Sequence, residues 1–223
     1  NVWEYYFEQP CGYTLEDIQH SRHVIIGNGL IDGSIPFPGE DIAYNQKELD
    51  KWKEVADRYL IVRPEIRKEA DELWKKLAGQ GRVLGVLLRG TDYVNSRPKN
   101  HPVQPTVDQA IDRMNEILSK EKFDRIYLAT EDAGIYKKLY DRYGEMIVSM
   151  DVERYTTTET ENINDISVKK STNRYQMGRD YLINILLLAK CDYLLAGNAG
   201  GSQGALMFRE HNSPKYIFNL GRY

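Results

Sequence analysis

Residues 83–88, Val-Leu-Gly-Val-Leu-Leu, constrain this chain more than any other stretch. An apolar run that short, with no polar alternation, fits a strand buried on both faces in the middle of a parallel sheet. It stops on Arg89-Gly90-Thr91-Asp92. In an open α/β sheet, ligands sit at the carboxyl ends of the central strands. An arginine there offers a fork of donors suited to phosphate, and a glycine lets the backbone approach closely. The same Arg89 and Asp92 would equally serve as an ion pair at a strand end.

The rest of the chain repeats the pattern of strand and helix. Leu49, Trp52, Val55, Ala56 and Tyr59 share one helical face, and Ile66, Ala70, Leu73, Trp74 and Leu77 share another behind Pro64. Gly79-Gln80-Gly81 stops the second helix. Pro105 and Thr106 open a third, with Ala110, Ile111, Met114 and Leu118 inward. Residues 125–130 form the next strand and end in Glu131-Asp132; a helix over 134–143 and a strand at 146–148 follow. Residues 151–173 are a long polar loop, residues 176–190 a deeply buried helix, and 191–196 and 214–218 two more strands. Near the start, Thr14 caps one helical turn and residues 23–26 read as a short strand. Alternating strands and helices predict an α/β fold, a Rossmann-like parallel sheet with helices on both faces. Its polar strand ends, Arg89/Asp92 and Thr130/Glu131/Asp132, then fall on one edge.

The fourth strand runs into Gly197-Asn198-Ala199-Gly200-Gly201-Ser202-Gln203-Gly204. A glycine-rich turn between strand and helix exposes amides to an anion at the positive helix end, though a tight turn alone would also use these glycines. The spacing is neither G-x-G-x-x-G nor the P-loop pattern, which disfavours a dinucleotide oxidoreductase. Arg97, Lys99 and His101 are further candidates to touch an anion, or solvated loop charges.

Composition excludes several classes. A net charge of −3, with acids and bases interleaved, argues against a nucleic-acid surface. The longest apolar run, 183–189, cannot span a bilayer. The two cysteines, Cys11 and Cys191, suggest neither disulfides nor zinc, and His20 and His23 lack further ligands at metal spacing. The start at Asn1, without methionine or leader, reads as an excised piece of a longer protein.

Three motifs together resemble the α1,6-fucosyltransferases and protein O-fucosyltransferases. Residues 85–92, Gly-Val-Leu-Leu-Arg-Gly-Thr-Asp, resemble the family's G-V-H-x-R-R-x-D; residues 127–132, Tyr-Leu-Ala-Thr-Glu-Asp, resemble its Y-L-A-T-D-D; residues 180–203 resemble its third motif. The likeness runs over most of 82–210, and 2–7 resemble the segment leading into that domain. It implies the C-terminal donor half of a GT-B glycosyltransferase, with 1–80 leading in and 81–223 forming the nucleotide-sugar-binding domain. It implies inverting transfer from GDP-fucose to a glycan acceptor, with no cofactor or metal required. Carried over, Arg89 binds the diphosphate and Asp92 joins it in the catalytic set. Glu131 and Asp132 line the pocket; Ser202, Gln203 and the Gly200 and Gly201 amides hold the phosphate region.

This chain departs from the family at three points: Leu87 replaces a histidine, Gly90 a second arginine, and Asn184 an aspartate that contacts guanine in relatives. Asp180, one turn before Asn184 on the same helix face, would supply the missing carboxylate. The sequence offers no evident general base. The expectation is a bacterial-type enzyme of surface or secreted polysaccharide biosynthesis. It would be cytoplasmic and at the inner membrane face through a part not included here. Rivals are a GT-B transferase for GDP-mannose and a nucleotide-binding domain without catalysis.

Overall fold

The computed structural model describes residues 2–23, 40–90, 97, 99–156, 173–210 and 212–223. Early in the chain, Thr14 and Asp17 cap helix α1 (Leu15–Gln19) reciprocally: the Asp17 amide donates to Thr14 Oγ1 at 3.2 Å, and the Thr14 amide to Asp17 Oδ2 at 2.7 Å. The strand expected at 23–26 falls almost wholly outside the described residues. Two amphipathic helices follow, α2 (Gln46–Tyr59) and α3 (Pro64–Ala78). Pro64 takes the first helical position of α3, where its missing N–H costs nothing. Gly79 ends the helix at φ +64°, a conformation side-chain-bearing residues avoid.

Five parallel strands then form one sheet: β1 (Val83–Leu87), β2 (Arg125–Ala129), β3 (Ile147–Val148), β4 (Tyr193–Gly197) and β5 (Lys215–Phe218). Their order across the sheet is β3-β2-β1-β4-β5. All five residues of β1 are buried, as its unbroken apolar run requires, and it pairs with β2 on one side and β4 on the other. The chain therefore winds one way from β1 and then returns to β1's other side. That places a topological switch point between the carboxyl ends of β1 and β4, where open α/β sheets bind ligands.

Strand alternation sorts the core into two layers. Leu84, Val86, Ile126, Leu128 and Leu195 meet α4 (Val107–Lys120) and α5 (Ala133–Tyr143), which bring Ala110, Met114, Ile135 and Leu139. Val83, Leu87, Tyr127, Ala129, Leu194 and Ala196 face the other way, onto α2, α3, α6 (Arg174–Ala189) and α7 (Gly200–Phe208). Helix α6 lies between the sheet and α3, with α7 beside it, and its second half is apolar nearly all round. Its seven residues buried along one stretch include Leu182, Ile183 and Leu186. Helix α4 begins at Val107, with Thr106 outside it as the cap. No helix among the described residues is long and apolar enough to cross a membrane.

Candidate functional site

The carboxyl edge of the sheet carries a cleft built from four elements. The end of β1 contributes Leu87, Leu88, Arg89 and Gly90, and the end of β2 contributes Ala129, Thr130 and Glu131. Helix α6 starts at this edge because it returns from β3 towards the start of β4, and it lays Tyr181, Asn184 and Ile185 along one wall. Helix α7 presents Gly201 from its first turn, and Val152 closes the far side. The wall is mostly hydrocarbon, with Arg89, Thr130, Glu131, Tyr181, Asn184 and the first amides of α7 among its polar points. Those amides lack partners within the helix and lie at its positive end.

Gly201 is a glycine for a local reason. A Cβ there would lie 2.8 Å from the Tyr181 hydroxyl, 3.2 Å from Leu87 Cδ2 and 3.3 Å from Ile185 Cδ1. The backbone of α7 thus comes up against β1 and α6 with nothing between. Past β3, the chain returns to this edge: the Tyr155 amide donates to the Glu131 carbonyl at 2.8 Å, and the Ala133 amide to the Tyr155 carbonyl at 3.0 Å. Arg154 anchors that return. Its Nη2 donates to Ser149 Oγ at 2.9 Å and to the Met150 carbonyl at 3.1 Å, and its guanidinium lies 4.0 Å from the Tyr136 ring. Burial holds its pKa below the ordinary arginine value.

The candidate residues separate into those on the cleft and those committed elsewhere. Arg89, Glu131, Asn184 and Gly201 are on it. Asp92 lies outside the described residues. Asp132 has a different task from the expected one: only 6% exposed, it caps α5, its Oδ1 accepting the Ile135 N–H at 2.9 Å. Ser202, too, has a capping task. It is fully buried, and its hydroxyl accepts the Ala199 N–H at 3.0 Å and donates to the Ala199 carbonyl at 2.8 Å, so it is spent within the turn. Asp180 stands off the cleft wall, accepting from Gln176 Nε2 at 2.7 Å. Gly200 is exposed beside Gly201. Gln203 braces the turn, donating to Asn198 Oδ1 at 3.2 Å. Arg97, Lys99 and His101 are exposed, on a loop that pairs with the C-terminal tail through the bridge of Pro102 and Arg222.

Three contributors were not singled out as site residues from the sequence, although Tyr127 and Tyr181 lie within the quoted motifs. Gln104, 3% exposed, reaches from the segment before α4 and donates to the Asn198 carbonyl at 2.7 Å, holding the β4–α7 turn. Its side chain occupies the space a Cβ on Gly197 would need. Tyr127 is buried under the cleft and donates to Asn184 Oδ1 at 2.7 Å; burial raises its pKa well above the ordinary tyrosine value. Tyr181 stands over the start of α7. Among the described residues, no group of three or more His, Cys, Asp or Glu is placed to hold a metal ion.

No family model matches the chain. Solved structures do resemble it. POFUT1 in complex with GDP-fucose is 12% identical at a TM-score of 0.50, with 77% of this chain and 49% of that one covered. POFUT1 in complex with GDP is 14% identical at a TM-score of 0.50, with 77% and 50% covered. The fucosyltransferase NodZ from Bradyrhizobium is 14% identical at a TM-score of 0.47, with 71% and 46% covered. The chain spans about half the length of each. At such identities the likeness is one of fold, and the chain is a Rossmann-like α/β protein with the fold seen in fucosyltransferase structures.

Proposed function

We propose that this chain forms the donor-binding part of a glycosyltransferase, taking GDP-fucose and passing fucose with inversion to a hydroxyl of a glycan acceptor. One observation carries the reading: Arg89, Glu131 and the first turn of α7 converge on a single apolar cleft at the sheet's carboxyl edge. Hydrocarbon walls suit a planar base or a deoxysugar, and the cationic and amide groups suit a diphosphate. GDP and GDP-fucose are also the ligands with which POFUT1 was solved.

In such a transfer the bond from the anomeric carbon to the diphosphate oxygen breaks, and one to the acceptor oxygen forms. The acceptor's proton passes to a base, and the nucleoside diphosphate leaves with the electron pair. Arg89 and the α7 amides would stabilise the charge growing on that leaving group. Asp92, three residues beyond Arg89, is the sequence's candidate partner in that step. Acceptor binding and any placement at the inner membrane face would involve protein beyond this chain.

A second reading, nucleotide binding without transfer, draws support from Leu87, which puts a hydrocarbon on the cleft wall where the family has a histidine. Calorimetric titration and thermal shift with GDP, UDP, ADP and NAD test the binding common to both. At a hundredfold its dissociation constant, a ligand of the native state stabilises by about 2.7 kcal/mol. GDP should bind and NAD should not. Arg89→Ala should weaken GDP about ten- to a hundredfold, the equivalent of one charge-assisted contact, and Arg89→Lys should recover only part. Wild-type GDP affinity in a folded Arg89→Ala protein would refute the role of Arg89. A shift with NAD or ADP and none with GDP would refute the transferase reading. Release of fucose to water or to added glycans separates catalysis from binding alone.

A further inference from the structure

The first residues of the chain lie against the outer end of α6 and carry exposed tyrosines there. Their backbone is pinned to the start of α3. The Glu8 amide donates to the Ile61 carbonyl at 2.8 Å, the Arg63 amide donates to the Tyr6 carbonyl at 3.0 Å, and Phe7 bridges to Val62. Tyr6 turns towards α6: its hydroxyl donates to the Tyr175 carbonyl at 3.1 Å and fills the space a Cβ on Gly178 would need. Its ring stacks with that of Tyr175, with centroids 5.8 Å and planes 8° apart, and Tyr5 meets Tyr175 edge-on at 5.6 Å. Yet Tyr5 is 51% exposed and Tyr175 40%. Residues 61–63 already hold the segment by its backbone, so docking it does not call for two half-exposed rings.

Helix spacing says where these rings stand. Gly178, Tyr181 and Ile185, at i, i+3 and i+7, share one face of α6. A Cβ on Gly204 would meet Ile185, and one on Gly201 would meet both Ile185 and Tyr181. Going outward along that face, contact thus moves back from the body of α7 to its first turn. Gly178 lies about 4.5 Å further along the axis, where the face has run past α7 and meets Tyr6 instead. A Cβ on Gly200 would meet nothing within 4 Å, so there is room beside the first residue of α7. Tyr6 and the rings packed on it therefore stand at the mouth of the cleft, just beyond the helix end offered to the diphosphate.

We propose that Tyr5 and Tyr175, with Tyr6 holding Tyr175 in place, form an acceptor subsite that stacks a pyranose ring of the glycan beside the sugar on the nucleotide. This deepens the nucleotide-sugar reading and rests on it. In that transfer the acceptor oxygen must reach the anomeric carbon, which lies on the outer side of the diphosphate, and so the acceptor ring must sit beyond the start of α7. A pyranose has one apolar face of C–H groups and a rim of hydroxyls. A half-exposed tyrosine matches it, with an apolar ring and a hydroxyl at the wet end.

The probes are linear tetramers of glucose, galactose, mannose and N-acetylglucosamine, offered to the whole chain with GDP saturating the cleft and followed by saturation-transfer NMR and titration. At least one tetramer should bind. Tyr5→Ala/Tyr175→Ala should weaken it about tenfold or more, the usual loss on truncating an aromatic anchor, and leave GDP affinity within about twofold. Tyr175→Phe keeps the ring and should keep most of the binding. Gly178→Ala drives the Tyr6 hydroxyl off α6 and should weaken the saccharide alone. Should the double variant fail to fold, Tyr5→Ala carries the test. If GDP binds but no tetramer does, or if the double variant keeps wild-type saccharide affinity, the subsite is overturned and the nucleotide reading stands. GDP affinity lost with the tyrosines would assign the rings to the donor, and a dimer that the double variant breaks would assign them to contact between copies; either overturns the subsite. Absence of GDP binding in the wild-type protein overturns the nucleotide reading itself, and the acceptor role with it.

Discussion

Replacing Gly85 by alanine probes the strand on which the cleft is built. Gly85 is the middle residue of β1, in register with Tyr127 on one side and Leu194 on the other. A Cβ there would lie 2.7 Å from Cys191 Sγ and 2.9 Å from Cys191 Cβ, with Leu188 Cδ2 at 3.4 Å. Neither atom of Cys191 can easily withdraw. The residue sits in the tight junction between α6 and β4, where its N–H donates to the Leu188 carbonyl at 3.2 Å and the neighbouring Asp192 amide to the Val83 carbonyl at 3.0 Å. Overpacking of a dense core costs about 1–3 kcal/mol. Loss of glycine's freedom in the unfolded chain returns roughly 0.5–1 kcal/mol. The expected net loss is about 1–2 kcal/mol, which lowers Tm by roughly 2–8 °C in a chain of this size. Cys191→Gly removes both clashing atoms, though alone it leaves a cavity and loses the sulfur's contact with the Leu187 carbonyl. The double variant should therefore be more stable than the sum of the singles predicts, by about 1 kcal/mol or more. Urea unfolding of the four proteins, followed by circular dichroism, measures the cycle. A Gly85→Ala protein as stable as wild type, or four midpoints that simply add, would show that this strand and helix junction are not in contact as described.

Two further outcomes follow from side chains whose work is now assigned. Ser202→Ala should cost about 1–3 kcal/mol of stability by leaving the Ala199 amide without its partner, and should leave diphosphate affinity within about twofold; lost affinity at unchanged stability would return Ser202 to the phosphate site. Tyr127 has a folded-state pKa raised by burial. Its contribution is thus fully present below the unfolded pKa of about 10 and is lost as pH rises beyond that towards the folded value. Denaturation midpoints should fall above about pH 10, and Tyr127→Phe should flatten that fall; an identical alkaline slope in the variant would contradict the burial of this hydroxyl.

What could be read from residues alone was whatever local pattern decides. The apolar run of β1, the stripes of α2 and α3, and the apolar second half of α6 each report how many of their faces are covered. Strand order is different. That β4 returns beside β1, making the switch point, depends on how crossovers pack on opposite faces of the sheet, and no window of sequence contains that. Gln104 was invisible for the same reason: its partner, Asn198, is 94 residues away, and a lone glutamine in a polar loop has no periodicity to betray it.

Two of the candidate residues share a capping task. A helix start attracts Asp and Ser whether its amides are to be capped by the chain or offered to an anion, because both needs call for oxygen at the same place. Asp132 and Ser202 stand at two such starts, and only burial and bonding tell the uses apart: 6% and 0% exposed, both are turned inward onto their own helices. Their neighbours differ. Glu131, one residue before the cap of α5, and Gly201, in the first turn of α7, are the members that reach the cleft. The cap in each case fixes the helix end so that the adjacent group is held at the edge of the sheet. With Gly90 where the family has an arginine, Arg89 is the positive side chain on the cleft wall among the described residues, and the start of α7 adds positive potential from its backbone. A site built this way depends on how α7 is held, through Gln104, Gln203 and the Ser202 hydroxyl, as much as on the one guanidinium beside it.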